Sequence, residues 1–297
     1  LMDIADRRDD VVAITAAMPG STGLIPFQQR YPERFFDTGI AEQHALTSAA
    51  GMARAGLRPF VAVYSTFLAR GFDQVMYDIG LHSLPVVICV DRAGVTGPDG
   101  SSHHGVHDIA MYARVPGMTI FAPSSLQELP VMLNQALEID DGPVAIRWPR
   151  GNATESEDVG EGMNARLVHE GKDVAILAAG KMLSAANTAV NLLAEEGVDA
   201  ALWDPRILKP VDQEMIRSII DFPLVVTIED GTRLGGFGSL VADVLQRRSG
   251  SVPRLLQLGT PDDYLPHGTD SELHSELGLD ASGIASQIIK SIKSNHR

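Results

Sequence analysis

Short apolar runs rich in β-branched residues recur along the first half of the chain: VVAIT (11–15), RPFVAVYST (58–66), LPVVICVD (84–91), MTIFAP (118–123) and GPVAIRW (142–148). Between them lie stretches with helical spacing, such as AEQHALTSAAGMARAG (41–56) and SLQELPVMLNQALEI (125–139). Nearly continuous apolar strands linked by segments of helical length predict a mostly parallel sheet covered on both faces. The alternation lapses over GNATESEDVGEGMNARLVHEG (151–171), which is polar and aperiodic and reads as a linker. It resumes with DVAILAAG, the helical KMLSAANTAVNLLAEEG, then DAALWDP, DQEMIRSII and PLVVTIED, and closes on ASGIASQIIKSIK with a frayed SNHR tail. The expectation is α/β with two domains, 1–150 and 173–297, joined by a linker over 151–172, each a mostly parallel sheet flanked by helices. A length of 297 residues suits two cores better than one.

Composition adds limits. The chain is 44% hydrophobic with 21% charged residues, ordinary for a globular protein. Its 38 acidic and 24 basic residues give a net charge of −14, which opposes general binding to nucleic acid or to anionic membranes. No apolar run is long enough to span a bilayer and the opening LMDIADRRDD is not a signal peptide, so a cytoplasmic location is expected. The single cysteine, Cys89, excludes an intrachain disulfide and reads as a buried strand residue.

Ligands of open α/β sheets sit in loops at the carboxyl ends of strands, and four such places carry unusual residues. In FDTGIAEQHA, Glu42 falls where a turn at Gly39 meets a helix; by composition alone it is a first-turn acid supporting the helix dipole. In VYSTFLARGFDQ, Tyr64, Phe67 and Arg70 straddle the end of a strand and the start of a helix. They suit either core packing with a solvated arginine or a grip on a flat ring or phosphate. VDRAGVTGPDGSSHHGVHD concentrates glycines and three histidines after Asp91 and Arg92. Its lack of an HExxH pattern argues against zinc, and its histidines are better suited to moving protons or contacting anions. IRWPRG presents Arg147 and Arg150, and Arg150 is either a rim residue or a fork for a carboxylate or phosphate. In the second half, RLGGFGSLV lacks the GK[ST] of a P-loop, so its glycines are read as close strand-to-helix packing, and His267 in PDDYLPHG has no role legible from spacing.

Taken in order, AITAAMPGSTGL, FDTGIAEQHA, VYSTFLARGFDQV, VDRAGVTGPDG followed by His103, FAPSS and RWPRG resemble the 1-deoxy-D-xylulose-5-phosphate synthases, enzymes of the transketolase type, over nearly the whole chain. The resemblance implies a pyrimidine-binding domain followed by a transketolase C-terminal domain. It also implies the cofactor thiamin diphosphate, with Glu42 and Phe67 at its aminopyrimidine. A carboxyl group hydrogen-bonded to N1′ stabilises the tautomer that removes the C2 proton, which turns Glu42 from a helix acid into a catalytic residue. Tyr64, Arg92 and Arg150 are implied to face the phosphorylated acceptor, with Arg70, Asp99 and His103 in the same pocket; His103 either settles charge or shuttles a proton. The implied substrates are pyruvate and D-glyceraldehyde 3-phosphate, and the product serves isoprenoid and thiamine biosynthesis. The family's GDG motif, which holds Mg2+ and the diphosphate, is not found here. The expectation is therefore half of an active site with no metal ligand of its own, inactive alone, completed by a diphosphate-binding domain and working as a homodimer. Two alternatives stand beside it: the β subunit of a 2-oxoacid dehydrogenase, and a non-catalytic interaction module.

Overall fold

The computed structural model describes residues 1–156, 158–248 and 250–294, so residues 295–297 of the SNHR tail lie outside it. Twelve strands are present among the described residues: β1 (Val11–Thr15), β2 (Phe35–Asp37), β3 (Arg58–Tyr64), β4 (Val87–Asp91), β5 (Thr119–Phe121), β6 (Val144–Arg147), β7 (Arg166–His169), β8 (Val174–Ala178), β9 (Ala200–Asp204), β10 (Ile207–Lys209), β11 (Leu224–Thr232) and β12 (Arg254–Thr260). The first sheet runs β10-β5-β6-β4-β3-β1-β2 and the second β12-β11-β8-β9-β7. Every pairing is parallel except β10 with β5 and β7 with β9. The apolar runs account for this, because β1, β3, β4, β6, β8 and β11 are buried along their whole length. A strand covered on both faces has no reason to alternate polar with apolar residues. The chain is two mostly parallel sheets flanked by helices.

The helices used below are α1 (Met2–Ala5), α2 (Ile25–Arg30), α3 (Glu42–Arg54), α4 (Ser65–Leu68), α5 (Asp108–Tyr112), α6 (Glu128–Leu137), α7 (Met182–Glu195), α8 (Gln213–Ile219), α9 (Phe237–Gln246), α10 (Asp270–Glu276) and α11 (Ala281–Ser294). Local chemistry starts two of them. Asp212 accepts the amides of Glu214 and Met215 ahead of α8, and Thr269 with Glu272 forms a reciprocal cap on α10.

Three features differ from the reading of the sequence. Within the stretch 151–172, taken as a linker, Arg166–His169 is β7 and pairs with β9. Its half-exposed RLVH gives no continuous apolar run, as befits an antiparallel edge strand. Within the span 173–297, β10 leaves the second sheet and pairs with β5 at the edge of the first. A three-residue strand is too short to show periodicity. β12 and α10 carry mixed polar and apolar text and were not anticipated.

The two sheets also share a core. One cluster of buried side chains includes Ile14, Leu46, Val61 and Ile88 from the first unit together with Leu177, Val225, Phe237 and Val241 from the second. Beside it Arg206 and Glu128, both fully buried, are paired at 3.1 Å. Arg206 Nη1 also donates to the carbonyls of Glu161, Gly162 and Asn164, and Glu128 accepts the amide of Gly160. The pair thus ties α6, the 160–164 stretch and the segment after β9 into one joint. Deleting one partner of such a pair strands a buried charge, at a cost of about 3–5 kcal/mol. Glu128→Ala is expected to lower unfolding stability by about that amount, measured by urea denaturation.

Candidate active site

The carboxyl ends of β2, β3, β4 and β6 open on one side of the first sheet, and the residues singled out from the sequence gather there. β2 ends at Asp37, whose carboxylate accepts the amides of Ala17 and Gly39 and so sets the turn into α3. Glu42, the first residue of α3, is only 3% exposed. Among the described residues no hydrogen bond reaches its carboxylate; Arg70 Nη1 approaches to 3.8 Å. The carboxylate oxygens keep a narrow opening to solvent, and a carboxylate so largely withdrawn from water without a protein donor is costly. The helix N-terminus offsets part of that cost, and a donor from outside the chain would offset more.

β3 delivers Tyr64 at its end, and α4 turns the chain so that Phe67 lies over it, ring centroids 5.7 Å apart and nearly parallel. Arg70 sits 5.9 Å from the Phe67 centroid on one side, and His103 meets the Phe67 edge at 5.5 Å on another. Past β4, Arg92 has a left-handed backbone (φ 54°), with its amide donating to the Asp91 carboxylate. That turn swings its guanidinium over the Tyr64 ring at 4.0 Å. Arg92 and Arg150 both pair with Asp99, at 3.0 and 3.1 Å. Glu42, Phe67, Tyr64, Arg70, His103, Arg92, Asp99 and Arg150 therefore form one continuous run of contacts, although they span more than a hundred positions of sequence.

The three histidines of the glycine-rich loop part ways. His103 accompanies Phe67, with Ser102 Oγ 2.9 Å from its Nδ1. His104 is buried; its Nδ1 accepts the Thr96 amide at 3.0 Å, and its Nε2 reaches the Pro266 carbonyl at 3.0 Å. His107 precedes α5 and is exposed. Among the described residues no group of three or more His, Cys, Asp or Glu side chains is placed to hold a metal ion, and no helix is long and apolar enough to cross a membrane.

Comparisons with known proteins bear on the fold that carries this geometry. The family model described as transketolase, pyrimidine binding domain, matches residues 1–155, and that of the transketolase C-terminal domain matches 163–284. The chain belongs to the transketolase family. A 1-deoxy-D-xylulose-5-phosphate synthase of Thermomicrobium roseum is 43% identical over all of this chain and 48% of its own length, and one of Chlorobium phaeovibrioides is 46% identical over 97% and 46%. The chain thus spans about half the length of the curated relatives it matches. A split-gene transketolase solved as an inactive beta4 tetramer superposes with a TM-score of 0.86 at 32% identity, over 98% of this chain and 94% of its own.

In this transketolase-family chain the second unit contributes residues that sequence reasoning passed over. Asp230, at 1% exposure, accepts the Val95 amide at 3.1 Å and is paired with Lys181 at 2.6 Å and His274 at 3.2 Å. Burial alone would raise its carboxyl, but Lys181 and His274 outweigh that and hold it below the usual carboxylate range. Lys181 and His274 also border a cavity of about 580 Å³ between the units, whose opposite wall includes Trp148 and Arg150. The only sequence trace of Asp230 is the string EDG, which says nothing of a partner 135 residues away.

The glycines of RLGGFGSLV act as expected. Glu229 fills the start of α9 by accepting the Phe237 and Gly238 amides at 2.8 and 2.9 Å, and Gly238 packs on the Thr227 hydroxyl. Burial pushes the Glu229 carboxyl up to about 7 against the pull of those amides. A folded-state value above the unfolded one means that its contribution to stability is complete below about 4.5 and is lost as pH rises through about 7. The unfolding free energy of the parent chain, read by urea denaturation, is expected to fall across that window, by of order 3 kcal/mol at most, and Glu229→Gln to flatten the fall.

Proposed function

We propose that this chain supplies the pyrimidine side of a thiamin diphosphate site in a 1-deoxy-D-xylulose-5-phosphate synthase. The reaction is decarboxylation of pyruvate and transfer of the two-carbon unit to D-glyceraldehyde 3-phosphate, giving 1-deoxy-D-xylulose 5-phosphate and CO2. The observation that carries this reading is Glu42, a carboxylate almost withdrawn from solvent at a helix start that no donor of the described residues satisfies, beside a half-buried Phe67 stacked on Tyr64. An aminopyrimidine offers the polar edge and flat ring that such a place lacks. The names of the relatives noted above support the choice of reaction.

When bound, thiamin diphosphate supplies the nucleophilic carbon and the electron sink. The residues of this chain hold and orient. Glu42 would share a proton with N1′ of the aminopyrimidine, and general acid–base help of this kind contributes about 10²–10⁴ in rate. Phe67, stacked on Tyr64, would hold the pyrimidine, and Arg70 approaches the Glu42 carboxylate to 3.8 Å. Arg92 and Arg150 together carry two positive charges against the single carboxylate of Asp99, which leaves a net positive charge for the acceptor's phosphate. Tyr64 braces Arg92 from below. His103, at the edge of Phe67, lies between the ring side and the phosphate side of the site, where it can pass a proton or settle charge on the pyruvate-derived group.

The reading assigns Mg2+ and the diphosphate to a domain outside these 297 residues. It also takes the assembled enzyme to be a cytoplasmic homodimer. Exposed Ile40, Tyr77 and Leu81 flank α3 and offer apolar surface to a partner. Calorimetric titration of thiamin diphosphate with Mg2+ into this chain is expected to give no measurable heat of binding, and tight binding would overturn the assignment of the diphosphate elsewhere. With a diphosphate-binding domain supplied in trans, Glu42→Ala is expected to lower turnover by about 10²–10⁴, read as release of CO2 from pyruvate in the presence of D-glyceraldehyde 3-phosphate. Loss of less than tenfold would remove Glu42 from the chemistry.

A further inference from the structure

The loop from Arg92 to His107 carries Asp99 and His103 and is held from both units. Within the loop, Gly94 and Gly105 exchange backbone hydrogen bonds, and Ser65 Oγ donates to the Gly105 carbonyl. Thr66 Oγ1 donates to the Ser102 carbonyl from the same side. From the same unit the Ala93 amide donates to the Trp148 carbonyl at 2.9 Å; Arg150 Nη1 donates to the Thr96 carbonyl and pairs with Asp99, each at 3.1 Å. Further contacts come from the second unit. Asp230 takes the Val95 amide with both carboxylate oxygens, Ser101 Oγ donates to the Leu265 carbonyl at 2.6 Å, and His104 spans from the Thr96 amide to the Pro266 carbonyl. Val95 and Val106 share a small apolar cluster with Leu265 and Leu273.

Two glycines show how tightly the surfaces are fitted. Gly94 (φ 86°) lies so close to the Asp230 carboxylate that a methyl group there would collide with it, and Gly100 (φ 76°) meets the His267 ring in the same way. Both need a backbone conformation that L side chains rarely adopt, and both leave no room for one. Asp230 itself cannot move to accommodate the loop, because Lys181 and His274 fix its carboxylate from behind.

We propose that Asp230 is a positioning residue: through the Val95 amide it fixes the loop that sets Asp99 between Arg92 and Arg150 and His103 against Phe67. The C-terminal unit then belongs to the active site without touching the reacting atoms. That the loop serves an acceptor phosphate rests on the function proposed above; the mechanical role of Asp230 does not.

Hydrogen exchange read by mass spectrometry tests this on the chain as it stands. Asp230→Ala is expected to speed exchange over residues 94–105 by about tenfold or more, as loss of a charged hydrogen bond predicts. Exchange in β1, β3 and β4 should stay as in the parent. Asp230→Asn keeps an oxygen facing Val95 and should restore most of the protection. Gly94→Ala displaces the same contact from the loop side with all charges of the cluster intact, so it decides the matter if Asp230→Ala does not fold. In parallel, calorimetry with D-glyceraldehyde 3-phosphate should show affinity lost in Asp230→Ala and Gly94→Ala and regained in Asp230→Asn. Unchanged exchange over 94–105 in Gly94→Ala and Asp230→Ala, or a rise that merely tracks β4 and β11, would overturn the proposal. If the parent chain takes no D-glyceraldehyde 3-phosphate, the functional reading falls while the exchange result still decides the role of Asp230.

Discussion

Charge buried at the junction of the two sheets must be met within the protein, and this constraint shapes the molecule more than any other. Arg206 meets Glu128, Arg147 meets Asp108 at 2.7 Å, and Asp230 meets Lys181 and His274, each with one or both partners almost fully out of water. Such pairs are poor sources of net stability, because desolvation consumes most of the Coulombic gain. Their effect is geometric: a register that separated any of them would strand a charge. Arg147 illustrates the point, since it ends β6 in the first sheet, pairs with α5 and donates to the Asp230 carbonyl in the second. The shared apolar cluster brings the sheets together, and the charges select how they meet.

The site inherits its precision from that junction. Each strand end contributes one or two groups: Tyr64 from β3, Arg92 from β4, Arg150 just past β6. Strand ends in a parallel sheet are held by ladders on both sides, so their relative positions vary little. The loop between Arg92 and His107 has only isolated bridges at Ala93, Gly94 and Gly105, and takes part of its fixity from the second unit. This division explains why a single sheet would not suffice for the arrangement. Arg92 and Arg150 can be placed by the first sheet alone, whereas Asp99, which stands between them, hangs from a loop braced by Asp230, Leu265 and Pro266.

Much of this was legible in the sequence where the signal is local. Apolar runs marked β1, β3, β4, β6, β8, β9 and β11, and the helical spacing of 41–56, 125–139 and 181–197 marked α3, α6 and α7. The eight candidate site residues were proposed through resemblance, not through spacing, because Glu42 alone is indistinguishable from an ordinary helix acid. What stayed hidden is what depends on partners distant in sequence. β7 and β10 are edge strands of four and three residues whose identity lies in their neighbours. Cys89 could be read as buried because its own strand says so; Asp230 could not be read as the anchor of Val95, because nothing around either residue refers to the other. His103 and His104 stand next to each other in a polar run, and only the fold reveals that one faces the site and the other holds the loop.

The two halves of the candidate site differ in how complete they are, and the difference bears on what each can do. On the phosphate side, opposite charges are already in contact, so Arg92, Arg150 and Asp99 are mutually satisfied and the arrangement can persist with nothing added. Two guanidinium groups against one carboxylate still leave a net positive charge there. On the ring side, Glu42 has a helix dipole and a distant arginine but no hydrogen-bond donor among the described residues, and Phe67 is only partly covered. Burial of a carboxylate and exposure of an aromatic ring are each unfavourable by themselves. A flat molecule with a polar edge relieves both at once, so the ring side has more to gain from a ligand than the phosphate side has.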